Sequence, residues 1–201
     1  MSPSTPDEAP APVPTLNIAN VLTTLRILMV PLFVWFLVLD GQEYGLWRWL
    51  AVAVFALAMY TDKLDGDLAR SRGLITDFGK IADPIADKLL TGSALVVFSL
   101  LGELSWWVTI LVLVREWGIT ALRIVVIRYG VIPASKGGKI KTVAQTVAIF
   151  LYLLPFTHTL EWLGVIALAA MLAAAAITLY TGVEYVVQAL RLRAAARKAA
   201  P

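Results

Sequence analysis

The 201-residue sequence predicts an all-α integral membrane protein of six transmembrane helices, with both termini on the cytoplasmic side. Three observations predict it. Hydrophobic residues make up 59% of the chain and charged residues only 15%, far from the balance of a soluble domain. Apolar runs of helical length recur between residues 21 and 190, and about twenty such residues cross a hydrocarbon core of roughly 30 Å. Lysine and arginine, finally, gather in alternate connections.

Residues 1–16, MSPSTPDEAPAPVPTL, contain five prolines, two acids and no base. A signal peptide needs a positive n-region before its apolar stretch, so this segment reads as a disordered cytoplasmic leader. The six spans are placed near Val21–Leu39, Trp47–Thr61, Ile85–Leu101, Ser105–Ile127, Val143–Pro155 and Leu160–Leu190. The second ends early because its helix continues beyond the bilayer into an acidic segment. Bases lie between Lys63 and Lys80, between Arg128 and Lys141, and in a basic tail over 191–201. The other connections offer only Arg48, against Asp40, Glu43, Glu103, His158 and Glu161, so they face outward. Arg128 and Lys136 read as anchors of this kind, and the tryptophans as interfacial residues. His158, in an outward loop, has no catalytic role on this reading. Without cysteine there is neither disulfide, thiolate metal site nor cysteine nucleophile. The modest positive charge belongs to the cytoplasmic loops and implies no nucleic acid.

The acidic segment, YTDKLDGDLARSRGLITDFGKIADPIADKLL, carries six aspartates in an otherwise apolar chain. Asp62 and Asp65 are spaced to share one helix face, and Asp83 and Asp87 share another. Gly73 is placed to end the first helix, and Thr76 to cap the second with Asp77 in its first turn. The expectation is a tight antiparallel hairpin with a carboxylate pair on each arm. At about 5 Å and an effective dielectric near 20, two such charges repel by roughly 3 kcal/mol. The cluster must therefore take up protons or a cation. All-oxygen ligands suit magnesium, manganese or calcium, and two pairs can bridge two ions about 4 Å apart. Gly66, Ala69 and Gly79 leave room for a bulky ligand, and the planar fork of Arg70 suits a phosphate. Together these features resemble a pyrophosphate site. Acids at a membrane helix end are often merely solvated, and Asp67 and Asp77 fit that description. Two pairs with small residues and an arginine between them do not.

The pattern Asp62-x2-Asp65-Gly66-x2-Ala69-Arg70-x8-Gly79-x3-Asp83-x3-Asp87 resembles the signature of the CDP-alcohol phosphatidyltransferases at every fixed position. NIANVLTTLRILMVPLF and GKIKTVAQ are similar, more loosely, to the phosphatidylglycerophosphate synthase branch of that family. The resemblance implies a six-helix domain over 17–190, a homodimer, and a cytoplasmic active site open to the bilayer. It also implies that the 1-hydroxyl of sn-glycerol 3-phosphate attacks the β-phosphorus of CDP-diacylglycerol and that CMP leaves. By motif position, Asp62, Asp65, Asp83 and Asp87 would be ligands of Mg2+ or Mn2+, with Asp87 also the general base. Gly66, Ala69, Arg70, Thr76 and Gly79 would form the CDP-diacylglycerol site.

A basic set accompanies the acids. Arg115 and Arg123, two turns apart on one helix face, and Lys139 and Lys141 at the start of the next helix are suited to an acceptor phosphate, as is Arg26 in the first helix. Arg115 has candidate counter-charges in Glu116, Glu103 and the motif aspartates. The motif itself serves several acceptors, so inositol phosphate and phosphatidylglycerol remain alternatives. A divalent-cation transporter would need acids near mid-membrane on several helices. A metal staple would leave Arg70 and the small residues unexplained. An aspartate-rich prenyltransferase fits the Gly66–Arg70 element poorly.

Overall fold

The computed structural model describes Pro14 and residues 17–74, 76–127 and 136–199. The rest of the predicted leader, Arg128 and Ser135 lie outside the described residues, as do the side chains of Lys136, Arg197 and Lys198. Among the described residues the chain is helical throughout: α1 Ile18–Asp40, α2 Leu46–Ser71, α3 Asp77–Leu100, α4 Trp106–Val126, α5 Lys136–Leu153, α6 Phe156–Thr159 and α7 Glu161–Ala199. Six long helices thus correspond to the six predicted spans, and α6 is a single added turn. Two of them, α1 and α7, are long and apolar enough to cross a membrane by length and composition. The other four carry charges along their length, such as Arg115 and Glu116 in α4.

Local chemistry sets the helix ends. Asn17 caps α1 by accepting from the Asn20 amide at 3.0 Å. Gly45 has no side chain with which to cap α2, and the Asp40 carboxylate does so instead. It accepts from the amides of Tyr44, Gly45 and Arg48 at 3.2, 3.0 and 3.1 Å. After α2, Gly73 adopts φ +64 and the Leu74 amide reaches back to the Ala69 carbonyl at 3.0 Å, as a glycine-terminated helix requires. Thr76 caps α3, accepting from the Gly79 amide at 3.1 Å.

The helices form two groups. α1 packs on α2 and α3, α7 packs on α4 and α5, and the groups meet where α3 touches α4 and where α5 touches α2 and α3. Fully buried alanines at 51, 58, 86, 94 and 148 let backbones approach. Phe33 and Phe55, with ring centroids 5.8 Å apart, fill the α1–α2 seam. Outward-facing Leu28, Leu57, Ile110, Val114 and Val165 are exposed, as are all seven tryptophans. An apolar exterior around a closely packed interior is the pattern a lipid solvent selects.

The predicted tight α2–α3 hairpin needs correction. The two arms meet chiefly through α1, which packs against both. Two carboxylate pairs cannot close dry against one another, and α1 brings the Thr23 hydroxyl between them and the Arg26 guanidinium against the α2 pair.

At the opposite end from the aspartates, Arg48 is fully enclosed. Its guanidinium donates to Glu103 at 2.9 and 2.6 Å and to the carbonyls of Leu153 and Tyr152, both at 3.1 Å. His158 lies 3.1 Å away and stacks on Tyr44, with centroids 4.5 Å apart. This one residue ties α2 to the α3–α4 turn and to the end of α5.

Candidate active site

Helices of alternating direction bring to one end of the bundle the start of α1, the end of α2, the start of α3, the end of α4, the start of α5 and the end of α7. A cavity of about 890 Å³ opens between them. Its first wall carries Asp62, Asp65, Gly66 and Arg70 from α2 and Asp83 and Asp87 from α3; the other carries Arg115, Glu116 and Arg123 from α4, Lys139 and Lys141 from α5, and Thr181 and Tyr185 from α7. All four motif aspartates therefore share one wall, and four of the five predicted acceptor cations face it. Ala69, Thr76 and Gly79 do not line this cavity, and neither does Arg26.

α1 supports the acidic wall from behind through three polar residues at three-residue spacing. Asn20 receives the Thr76 hydroxyl at 3.0 Å. A Cβ on Gly79 would stand 3.1 Å from the Asn20 Oδ1, so the small residue here serves the approach of α1. Thr23 donates to Asp83 Oδ1 at 2.6 Å and lies 3.3 Å from Asp65 Oδ2. Arg26, 1% exposed, contacts both Asp62 and Asp65. Asn20 and Thr23 escape a reading of charges. Their signal is a polar stripe, Asn20, Thr23 and Arg26, in an otherwise apolar helix, where such residues face a partner.

Asp62 and Asp65 lie beyond the apolar stretch of α2. Burial raises the pKa of Asp65 to about 6, with Asp83 and Asp62 adding to the rise and Arg26 opposing it. Asp62 is raised for the same leading reason, again with Arg26 opposing. Packing thus holds these carboxylates in a setting that disfavours their charge, which Arg26 offsets only in part. Asp62 and Asp83 each keep one oxygen outside the contacts above, and the Asp87 carboxylate accepts no hydrogen bond among the described residues. The donor set is all carboxylate and fits a hard divalent cation. Among the described residues no three acids or imidazoles close on one point as a formed cation site. Arg26 takes up part of the charge in that space.

Across the cavity, Glu116 organises the basic wall. It accepts from Lys141 at 2.7 Å and from Arg115 at 3.0 Å, and Arg115 also donates to Thr181 at 2.8 Å. Of the candidate counter-charges for Arg115, the structure selects Glu116. Gln145 links this group to Thr178 at 2.8 Å. Arg123 is exposed and lies over the Tyr185 ring, 5.7 Å from its centroid, while Lys139 is exposed. Arg70 is exposed and pairs with Asp67 at 2.8 Å, and Asp77 pairs with Lys80 at 2.8 Å. That pairing lowers the pKa of Asp77.

Comparison with known proteins agrees with this geometry. The sequence profile described as CDP-alcohol phosphatidyltransferase matches residues 16–190. The chain is 53% identical over 175 residues to a probable phosphatidylglycerophosphate synthase of Mycobacterium tuberculosis (strain ATCC 25618 / H37Rv), covering 87% of this chain and 82% of that protein. It is 38% identical over 153 residues to the CDP-diacylglycerol–glycerol-3-phosphate 3-phosphatidyltransferase of Bacillus subtilis (strain 168), covering 70% and 79%. The Rickettsia felis (strain ATCC VR-1525 / URRWXCal2) protein of the same description is 32% identical over 172 residues, covering 84% and 93%. The chain belongs to the CDP-alcohol phosphatidyltransferase family and is a transferase.

Proposed function

We propose that this protein is a phosphatidylglycerophosphate synthase, which transfers the phosphatidyl group of CDP-diacylglycerol to the 1-hydroxyl of sn-glycerol 3-phosphate and releases CMP. The observation that carries this reading is one cavity shared by carboxylates on one wall and Arg115, Arg123, Lys139 and Lys141 on the other. The acidic wall suits a cation-bound pyrophosphate. The basic wall suits a phosphomonoester with nearly two negative charges, which needs more than one cation. Serine and phosphatidylglycerol, lacking a monoester, make no use of such a wall. Inositol phosphate would, and the names of the three relatives favour glycerol 3-phosphate.

In this mechanism Asp62, Asp65, Asp83 and Asp87 would hold Mg2+ or Mn2+, two ions if both pairs are used, and the chemistry so supplied would be neutralisation of the pyrophosphate and of the charge on the leaving CMP. Gly66 and Arg70 flank the acids on the cavity wall, where the guanidinium is exposed and can exchange Asp67 for a phosphate. Thr76 and Gly79 stand behind that wall against Asn20 of α1, and their contribution, like that of Ala69 outside the cavity, would be to its shape. Arg115, Arg123, Lys139 and Lys141 bind the acceptor phosphate and point its far hydroxyl toward the acids. Asp87, whose carboxylate has no hydrogen-bond partner among the described residues, takes the proton of that hydroxyl.

The chain is read as a single domain over 17–190 with all six long helices spanning a bacterial cytoplasmic membrane as a homodimer, both termini and the cavity facing the cytoplasm. Bases at the cavity end and tryptophans at the start of α2, α4 and α7 support this orientation. The test is CMP release by purified protein. Release should require Mg2+ or Mn2+, stop in excess EDTA, and be lost in Asp87→Asn while CDP-diacylglycerol still binds. Full activity in EDTA would sink the metal reading, and near-normal turnover of Asp87→Asn would remove the base.

A further inference from the structure

Two buried arginines in this protein are held in opposite ways. Arg48 uses its Nε and both terminal nitrogens on a carboxylate and two carbonyls at the far end of the bundle. Arg26 is as deeply enclosed, yet among the described residues its Nε–H finds no acceptor, and its Nη1 lies beside Asp62 without hydrogen-bond geometry. Its ion-pair partners are Asp62 and Asp65 alone among the described residues. A buried guanidinium with unused donors is held by charge rather than by a saturated network. The charge that holds it belongs to the two α2 carboxylates of the acidic wall.

We propose that Arg26 is the resident counter-ion of Asp62 and Asp65, holding them along the cavity wall and giving way to a divalent cation. This rests on the metal reading above. Four carboxylates on one wall would repel one another in the cation-free protein, and the guanidinium offsets that repulsion from within α1. When a cation enters, two positive groups compete for the same carboxylates, and Arg26 loosens its hold on at least one. Arg26 is therefore a positioning residue that sets cation affinity below what the four carboxylates alone would give. It differs in this from Arg115, Arg123, Lys139 and Lys141, which face the acids across open space.

The test is Mn2+ binding by the full chain in lipid nanodiscs, followed by the electron paramagnetic resonance of free Mn2+, with melting measured in EDTA and in Mn2+. Arg26→Met keeps the length of the side chain and removes its charge. It should bind Mn2+ about tenfold more tightly than wild type, melt lower in EDTA, and gain more from Mn2+ than wild type does. If Arg26→Met does not fold, Arg26→Lys decides: an ammonium holds one carboxylate less firmly than a fork holds two, and binding should tighten severalfold. Mn2+ binding that is unchanged or weaker in the folded variant would overturn the proposal while leaving the metal site standing. Absence of saturable Mn2+ binding by wild type would remove the metal site itself, and the role of Arg26 with it.

Discussion

The hydroxyl of Thr23 donates to Asp83 Oδ1 at 2.6 Å, linking the first helix to an aspartate sixty positions later. The same oxygen stands 3.3 Å from Asp65 Oδ2, so one threonine touches both arms of the acidic motif. Such a support orients carboxylates without meeting substrate. Thr23→Val keeps the shape and deletes the donor; it should lower kcat for CMP release by about 10- to 100-fold, the usual cost of losing a partner behind a ligand. Thr23→Ser should remain within a few-fold of wild type. Equal activity of the valine and serine variants would show that the hydrogen bond does not matter.

At the other end of the bundle, removing Arg48 strips the Leu153 carbonyl of its side-chain donor and leaves Glu103 only His158, 3.7 Å away, in a closed interior. Arg48→Met should destabilise the protein by about 3–5 kcal/mol in detergent unfolding, because the Glu103 charge stays buried without its guanidinium. Combining it with Glu103→Leu should recover much of that loss. A single-variant effect below about 1 kcal/mol would show that the network is solvated.

The acceptor wall makes a separate prediction. Lys139→Ala should raise KM for glycerol 3-phosphate severalfold and leave that for CDP-diacylglycerol little changed. Lys141→Ala should raise it more, since Glu116 then keeps only Arg115 as an ion-pair partner. A parallel rise in both KM values would assign these lysines to the donor instead.

Much of this architecture is legible in the sequence because it rests on local signals. Thr76 and Gly73 mark the helix ends by their own chemistry, and the spacing of Asp62, Asp65, Asp83 and Asp87 puts each pair on one face. What escapes is whatever depends on partners distant in sequence. Arg48 and Glu103 are 55 residues apart, and each alone reads as a loop charge. Thr23 and Asn20 carry no charge and sit in an apolar run, so nothing local announces that they face α2 and α3. Arg26 reads as one more phosphate cation until the packing of α1 against α2 puts it beside Asp62 and Asp65. Glu116 was legible only as one of several possible counter-charges for Arg115.

Orientation is open to a direct check, because the chain has no native cysteine. A cysteine at Ser71, exposed at the cavity end, should react only with reagent on the cytoplasmic side, and one at Gly41 only from outside. Labelling of position 71 from outside would reverse the orientation and move the cavity with it.

One assay decides whether CDP-diacylglycerol and glycerol 3-phosphate are the donor and acceptor that this protein joins. Purified protein is given CDP-diacylglycerol and Mg2+ with either sn-glycerol 3-phosphate or inositol phosphate, and CMP and the lipid product are identified together. CMP and phosphatidylglycerophosphate should form in equal amounts with glycerol 3-phosphate, and neither CMP nor a lipid product with inositol phosphate. Efficient release with inositol phosphate and none with glycerol 3-phosphate would contradict it.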